Sequence, residues 1–153
     1  MADPTAPGRT PAIGDVPVPD SHLDLFTRPV PGVLTTMMPD GQPQSSLVWV
    51  DYDGECALVN TKRERRKSRN IAANPKVSLL VVDPANTGRF VQIRGCAELV
   101  EEGAPEHLDR VTRRYTSHPC YCGHVYPIAQ QLLENRVICR IHATRITLDA
   151  IHA

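Results

Sequence analysis

The sequence has no net charge, no long apolar run and few aromatic rings, and each shortage excludes something. Its 17 basic and 17 acidic side chains cancel. A general nucleic-acid binder draws its affinity from surplus positive charge, so no nucleic-acid partner is expected. No uninterrupted apolar stretch nears the roughly 18–20 residues that span a bilayer, so no membrane partner is expected. The N-terminus lacks the basic start and apolar stretch of a secretory signal, which makes the cytoplasm the expected location. One Trp, four Tyr and two Phe stand against 14 prolines and nine glycines. That ratio implies many turns around an aliphatic core. A chain of 153 residues suits one domain, burying on the order of 70% of its unfolded surface.

Cysteine is present but odd in number: Cys56, Cys96, Cys120, Cys122 and Cys139. Five thiols in a chain expected in the cytoplasm argue against a disulfide framework. Cys56, Cys96 and Cys139 lie in strand-like runs and read as small buried hydrophobes. The stretch from His118 to His124 holds two imidazoles and the thiols of Cys120 and Cys122. These are zinc-ligand types, but Cys-X-Cys is not the usual spacing and no second ligand pair follows. It reads as an ordinary loop, and no metal is expected.

Five prolines fall within residues 1–20, so residues 1–18 read as a flexible arm and 19–153 as the folded domain. Ser21 is placed to cap a short helix over His22 to Phe26, ended by Pro29 and Pro31. Strands are expected at Val33 to Met37, Ser45 to Val50 and Cys56 to Asn60. The turns between them, Pro39-Asp40-Gly41-Gln42 and Asp51-Tyr52-Asp53-Gly54-Glu55, carry residues suited to hairpins. A short helix over Lys67 to Ala73 ends at Asn74-Pro75. Val77 to Val82 is nearly all aliphatic, as in a strand buried on both faces. Phe90 to Leu99 alternates, with Val91, Ile93, Gly95, Ala97 and Leu99 on one face and Gln92, Arg94, Cys96 and Glu98 on the other. Pro105 to Tyr115 is a helix with proline and glutamate in its first turn and arginine in its last. A short helix over Pro127 to Asn135 and strands at Val137 to Ile141 and Arg145 to Leu148 complete the chain. The expected fold is mainly β with short helices: six to seven antiparallel strands in a small closed or partly closed barrel.

The zero net charge is an average over unlike parts. Lys62, Arg63, Arg65, Arg66, Lys67 and Arg69 are interrupted by one acid, Glu64, so this run carries +5 and the rest of the chain −5. It begins where a strand ends and runs into a helix N-terminus, where free N–H groups and the helix dipole favour an anion. Arginine brings a planar fork to phosphate oxygens and lysine a point charge. Asn60 and Thr61 can add neutral hydrogen bonds. Taken by itself, such a run is either a solvated charged turn or a cradle for a phosphate-bearing small molecule. No aromatic stacking platform accompanies it, as a nucleic-acid surface would need.

The order of motifs resembles a known superfamily. Its carriers are Pro39-Asp40-Gly41-Gln42-Pro43-Gln44, Leu47-Val48-Trp49, and Val59-Asn60-Thr61 with Arg65, Lys67, Arg69 and Asn70. Asn74-Pro75-Lys76-Val77-Ser78-Leu79, Val82-Asp83-Pro84 and Arg89 to Gly95 follow. Together they resemble the pyridoxamine 5′-phosphate oxidase-like split β-barrel proteins, and lean toward the flavin/deazaflavin oxidoreductases that use coenzyme F420. The resemblance implies a homodimer, an FMN-binding split barrel fold, and a cofactor cleft at the subunit interface. It implies that Arg65 with Lys67, or Arg66 with Lys67 in the FMN type, meets the cofactor phosphate. It assigns Asn60 and Thr61 to the phosphate and ribityl chain. Ser45, Ser46, Val48 and Trp49 would line the ring, and Phe90 would serve the partner's cleft. One departure is Glu64, where the deazaflavin branch commonly has glycine.

The function so implied is an oxidoreductase, in first place a coenzyme F420-dependent reductase passing hydride to an electron-poor C=C or C=N bond of a small-molecule substrate. The alternatives are an FMN-dependent oxidase or reductase and a non-catalytic protein holding flavin, deazaflavin or haem. Tyr115, Tyr121, Tyr126, His118 and His124 are chemically suited to donate a proton. None is assigned as catalytic. Trp49, the sole tryptophan, is either core or a ring contact.

Overall fold

A computed structural model describes residues 15–149. A 3₁₀ turn at Asp20–His22 leads into α1 (Asp24–Thr27), then β1 (Gly32–Met37), β2 (Pro43–Val48), β3 (Asp51–Tyr52) and β4 (Ala57–Lys62). The basic run enters α2 (Arg66–Ala73), followed by β5 (Lys76–Val82), β6 (Phe90–Val100), α3 (Ala104–Tyr115), α4 (Ile128–Gln131) and β7 (Arg136–Leu148). The seven strands form one sheet in the order β2-β1-β5-β6-β7-β4-β3, with antiparallel pairings between neighbours. It curls around an aliphatic core of Leu34, Val50, Val59, Leu79, Val91, Ile93 and Ile141, with Leu25 and Phe26 of α1 fully buried in it. This is the expected split barrel at the upper end of the expected strand count.

Several local expectations are corrected. Ser21 does not cap a helix: it lies inside the 3₁₀ turn and its hydroxyl meets His22 Nδ1 at 2.7 Å. The strand expected to end at Val50 stops at Val48, because the chain bends to form β3. β5 alternates in burial instead of being buried on both faces. The helix expected over Pro127 to Asn135 contracts to the single turn of α4, with Leu132 and Leu133 left exposed. Of the expected arm, residues 1–14 lie outside the described residues. Residues 15–18 lie against the barrel: Val16 N–H bonds Ala143 O at 3.0 Å and Val18 is buried.

The closing strands expected at Val137 to Ile141 and Arg145 to Leu148 are one strand. The buried residues of β7 run Val137, Cys139, Ile141, Ala143, and the apolar positions that pack against the core then change parity to Ile146 and Leu148. The cause is a bulge. Arg94 pairs with Arg145 but Gly95 pairs with Ala143, so Thr144 is an extra residue. One inserted residue flips every later side chain to the other face. Gly95 permits the close approach of backbones at this point: a Cβ there would stand 1.9 Å from His142 O. Cys96 is exposed, not buried. The alternation of β6 places it on the face of Arg94 and Glu98, and that periodicity outweighs the general preference of cysteine for the interior. Cys56 and Cys139 are buried as expected.

Candidate functional site

A cleft of about 380 Å³ opens between the end of β2, the far half of β4, α2, α3 and the loop before α4. Its size is that of a small-molecule site. Val48, Trp49, Asn60 and Lys67 line it together with Leu108, Val111, Tyr121 and Arg136. Four of the residues singled out in the sequence therefore converge on one space, from segments separated by up to 19 positions.

The others stand apart from it. Ser45 is exposed, its hydroxyl 2.8 Å from that of Thr35, and Ser46 is half-buried on the opposite face of β2. Thr61 is buried on the core side of β4, since neighbouring residues of a strand point to opposite faces. Arg65 and Arg66 are exposed at the start of α2. Phe90 begins β6, away from this chain's cleft; its expected place is the partner's.

The N-terminus of α2 is uncapped. Arg65 occupies the cap position with extended backbone and no side-chain hydrogen bond closes the first turn. Arg65 N–H bonds Lys62 O and Ser68 N–H bonds Arg65 O, which leaves the first-turn N–H groups of Arg66 and Lys67 open to an anion. Within the run, Lys62 pairs with Glu134 and Arg63 with Glu101. Arg65, Arg66 and Lys67 have no acidic partner among the described residues. Glu64, the departure from the family pattern, turns away and accepts from Asn135 Nδ2 at 2.6 Å. Lys67 is half-buried at the cleft wall. Burial, reinforced by the charge of Arg65, holds its ammonium below the usual lysine range.

Asn60 is fixed from behind. Its Nδ2 donates to Ala104 O at 2.8 Å and to His107 Nδ1 at 3.1 Å. His107 Nε2 meets the carboxylate of Asp51 at 3.1 Å, and Arg110 and Arg114 hold that carboxylate at 2.9 and 2.8 Å. A carboxylate accepts, so Nε2 carries the proton and Nδ1 is free to accept from Asn60. The amide is thereby oriented with Oδ1 left over, buried and unpartnered. A buried acceptor without a donor is costly, and a ligand hydroxyl or N–H in the cleft would satisfy it.

Burial alone would raise the Asp51 carboxyl, but hydrogen bonds from His107, Arg110 and Arg114 outweigh it and pull it well below the usual range. Its stabilisation is present above the unfolded carboxyl value near ~4 and is lost as pH falls through the depressed folded value. Asp51→Asn removes a charge from a buried network and leaves its partners facing an amide. It is expected to cost about 3 kcal/mol, a fall in Tm of about 6–12 °C by thermal melting at neutral pH, narrowing as the pH is taken below ~4.

Trp49 is a wall residue whose indole stacks on Tyr115, ring centroids 5.2 Å apart and 14° between planes. Tyr115 is not free to transfer protons. Its hydroxyl donates to Val30 O at 2.6 Å and receives Val50 N–H at 3.0 Å. Of the other proton donors considered, only Tyr121 lines the cleft, with the Arg136 guanidinium 4.7 Å over its ring. His118 and His124 pair with each other, ring centroids 5.3 Å apart, and do not line it. Sequence reasoning missed Arg136, its anchor Glu134 and the Asp51–His107 support. Asp51 and His107 join strand to helix across 56 positions, so nothing local marks them. Glu134 and Arg136 are only two residues apart, but the place of Arg136 at the cleft is set by the fold and not by their own pairing.

The family model for pyridoxamine 5′-phosphate oxidase matches residues 18–148, and the chain belongs to that family. A solved structure named F420 reductase is 34% identical, covering 85% of this chain and 98% of its own, with a TM-score of 0.71. A conserved hypothetical protein of Mycobacterium tuberculosis is 31% identical over 88% of this chain and 86% of its own, TM-score 0.63. A putative pyridoxamine 5′-phosphate oxidase from Listeria innocua, 23% identical over 84% of this chain and 95% of its own at TM-score 0.63, shares the fold. No curated protein matches. No helix among the described residues is long and apolar enough to cross a membrane.

Proposed function

We propose that the chain is a coenzyme F420-dependent oxidoreductase that reduces an electron-poor C=C or C=N bond of a small molecule. The observation that carries this is the convergence of Trp49, the unpartnered Asn60 Oδ1 and the acid-free cations Lys67, Arg65 and Arg66 at one cleft and the uncapped helix beside it. The donor set fits the group: cations and helix N–H for a phosphate, an acceptor for a hydroxylated chain, an indole and aliphatic wall for a planar ring. The likeness to a protein named F420 reductase favours the deazaflavin over FMN. When bound, the deazaflavin supplies hydride-transfer chemistry. The chain's part is to hold and orient. Lys67, Arg65 and Arg66 neutralise the phosphate, Asn60 accepts from the polyol chain, and Trp49 with Val48 sets the ring plane. Ser45, Ser46 and Thr61 then serve through backbone and edge contacts.

The working unit is a homodimer with Phe90 serving the partner's cleft. Leu47 and Val125 line the cleft yet are 74% and 39% exposed, and Ile128, Leu132 and Leu133 are exposed apolar residues in and just after α4, which follows the cleft-lining loop. Apolar surface gathered at a cleft mouth is what a second subunit covers. Steady-state assays with reduced F420 against enones and imines are expected to give turnover, and the same assays with reduced FMN none. Turnover with FMN alone sinks the assignment.

Lys67→Ala is expected to weaken F420 binding about tenfold, the scale of one charge-assisted hydrogen bond. Affinity of the parent protein should fall as pH rises through the lowered Lys67 value, because the ammonium is the binding form. The variant's pH profile, read by equilibrium titration, should be flat over that range.

A further inference from the structure

A second cluster of chemistry-bearing side chains sits at the opposite end of β4 from Asn60, four residues or about 13 Å along the strand. Cys56 precedes Ala57, which pairs with Ile141. Continuing that register sets Cys56 directly across from His142. Asp15 reaches the same point from the stretch pinned by the Val16–Ala143 hydrogen bond. Cys56 Sγ lies 3.4 Å from Asp15 Oδ2 and 3.6 Å from His142 Nδ1, and Nδ1 lies 2.9 Å from Oδ2.

These three atoms outline one face of a small tetrahedron. A zinc ion with Zn–S of about 2.3 Å and Zn–N and Zn–O of about 2.0–2.1 Å has sulfur edges of about 3.5 Å and an N–O edge of about 3.4 Å. The two sulfur edges already have that length. The third has to open by about half an ångström as the Asp15–His142 hydrogen bond gives way to the ion. The arrangement is unlike a Cys–His–Asp proton relay, in which thiol and carboxylate use opposite ring nitrogens. Here both face the same nitrogen, Nδ1. The other nitrogen, Nε2, stands 3.6 Å from Glu98 Oε2, the outer carboxylate that commonly orients a ligating histidine.

Charge and burial agree. Aspartate and a thiolate together neutralise a divalent ion. Arg140, the nearest cation, is already held by Asp53 at 2.6 Å and Glu55 at 3.2 Å. Cys56 is 1% exposed, and a bound cation is the partner that would stabilise a thiolate in so buried a position.

We propose that Asp15, Cys56 and His142 form a binding site for a divalent metal of zinc type, with the fourth position open to water. Such an ion would tie the stretch entering the barrel to β4 and β7, so its effect is on stability. The site is independent of the cofactor cleft.

The test is titration of the full-length, chelator-treated protein with Zn²⁺ and with Co²⁺. One equivalent per chain is expected, with a thiolate-to-cobalt charge-transfer band in the near ultraviolet and a rise in Tm on adding Zn²⁺. His142→Ala and Asp15→Asn should each weaken binding more than about 100-fold, beyond the range of an outer-shell change. Cys56→Ser should abolish the charge-transfer band. Cys120→Ser, in the other thiol-rich loop, should leave the band and affinity unchanged. Absence of stoichiometric uptake overturns the proposal, as does uptake that survives His142→Ala and Asp15→Asn or is lost in Cys120→Ser.

Discussion

Reversing the charges of Arg65, Arg66 and Lys67 to glutamate should weaken F420 binding by at least about 100-fold, with the fold intact. Each charge-assisted contact to phosphate is worth about 1.5–3 kcal/mol, and reversal adds repulsion to the loss of attraction. Two of the three side chains are exposed and the third half-buried, and none has an acidic partner among the described residues. Little native structure is lost with them. The effect should shrink as salt is raised, since the arginines are solvent-exposed and screening weakens such contacts. Titration at two ionic strengths, with a thermal melt as control, reads both features. Affinity unchanged by the triple substitution would mean that the run is only a solvated charged turn.

The second large effect is on the fold. Gly95→Ala should cost more than about 4 kcal/mol, which in a domain of this size leaves most of the protein unfolded or lowers Tm by more than about 10 °C. The added Cβ would meet His142 O at 1.9 Å and the carbonyl carbon at 2.8 Å. Both are backbone atoms of β7, so no side-chain rotation relieves the clash. Gly41→Ala is the informative contrast. Gly41 has φ of 87° but nothing within 4 Å of the added atom. It should cost only about 1 kcal/mol, for the left-handed backbone alone. Equal effects of the two substitutions would contradict the close strand approach at the bulge.

The same bulge shows where sequence patterns stop being readable. Val137, Cys139 and Ile141 alternate, and Ile146 and Leu148 alternate, but Thr144 shifts the parity between them. A period-2 reading must then divide one strand into two. The turns at Gly41 and Gly54 were legible because their residues act locally, but the partner strand at Gly54 was not. Asp51–Tyr52, expected in the turn, pairs with β4, while β2 lies at the opposite edge of the sheet. The basic run was legible too, because α2 begins within it and its charges need no distant partner. Trp49, Asn60 and Lys67 could be named from motif order, and they do share one cleft. What holds Asn60 in place could not. Asp51 and His107 are 56 residues apart, and neither carries a local sign of the other. Tyr115 illustrates the reverse: chemically suited to proton transfer, it is locked between Val30 and Val50 by contacts that only the fold creates. The carboxylate of Glu64, adjacent in sequence to the cradle, is neutralised as an obstacle by Asn135, a residue 71 positions away.

Trp49 offers the most direct test of the central claim, that a phosphate-bearing deazaflavin sits in the cleft between this indole and Lys67. It is the sole tryptophan, so its emission reports on that wall alone. Titrating the protein with F420 should quench Trp49 emission to saturation at one equivalent per chain. FMN should quench only at much higher concentration, and the Lys67→Ala midpoint should shift about tenfold upward. Saturable F420 binding that leaves Trp49 emission unchanged, or FMN binding as tightly as F420, would contradict the account.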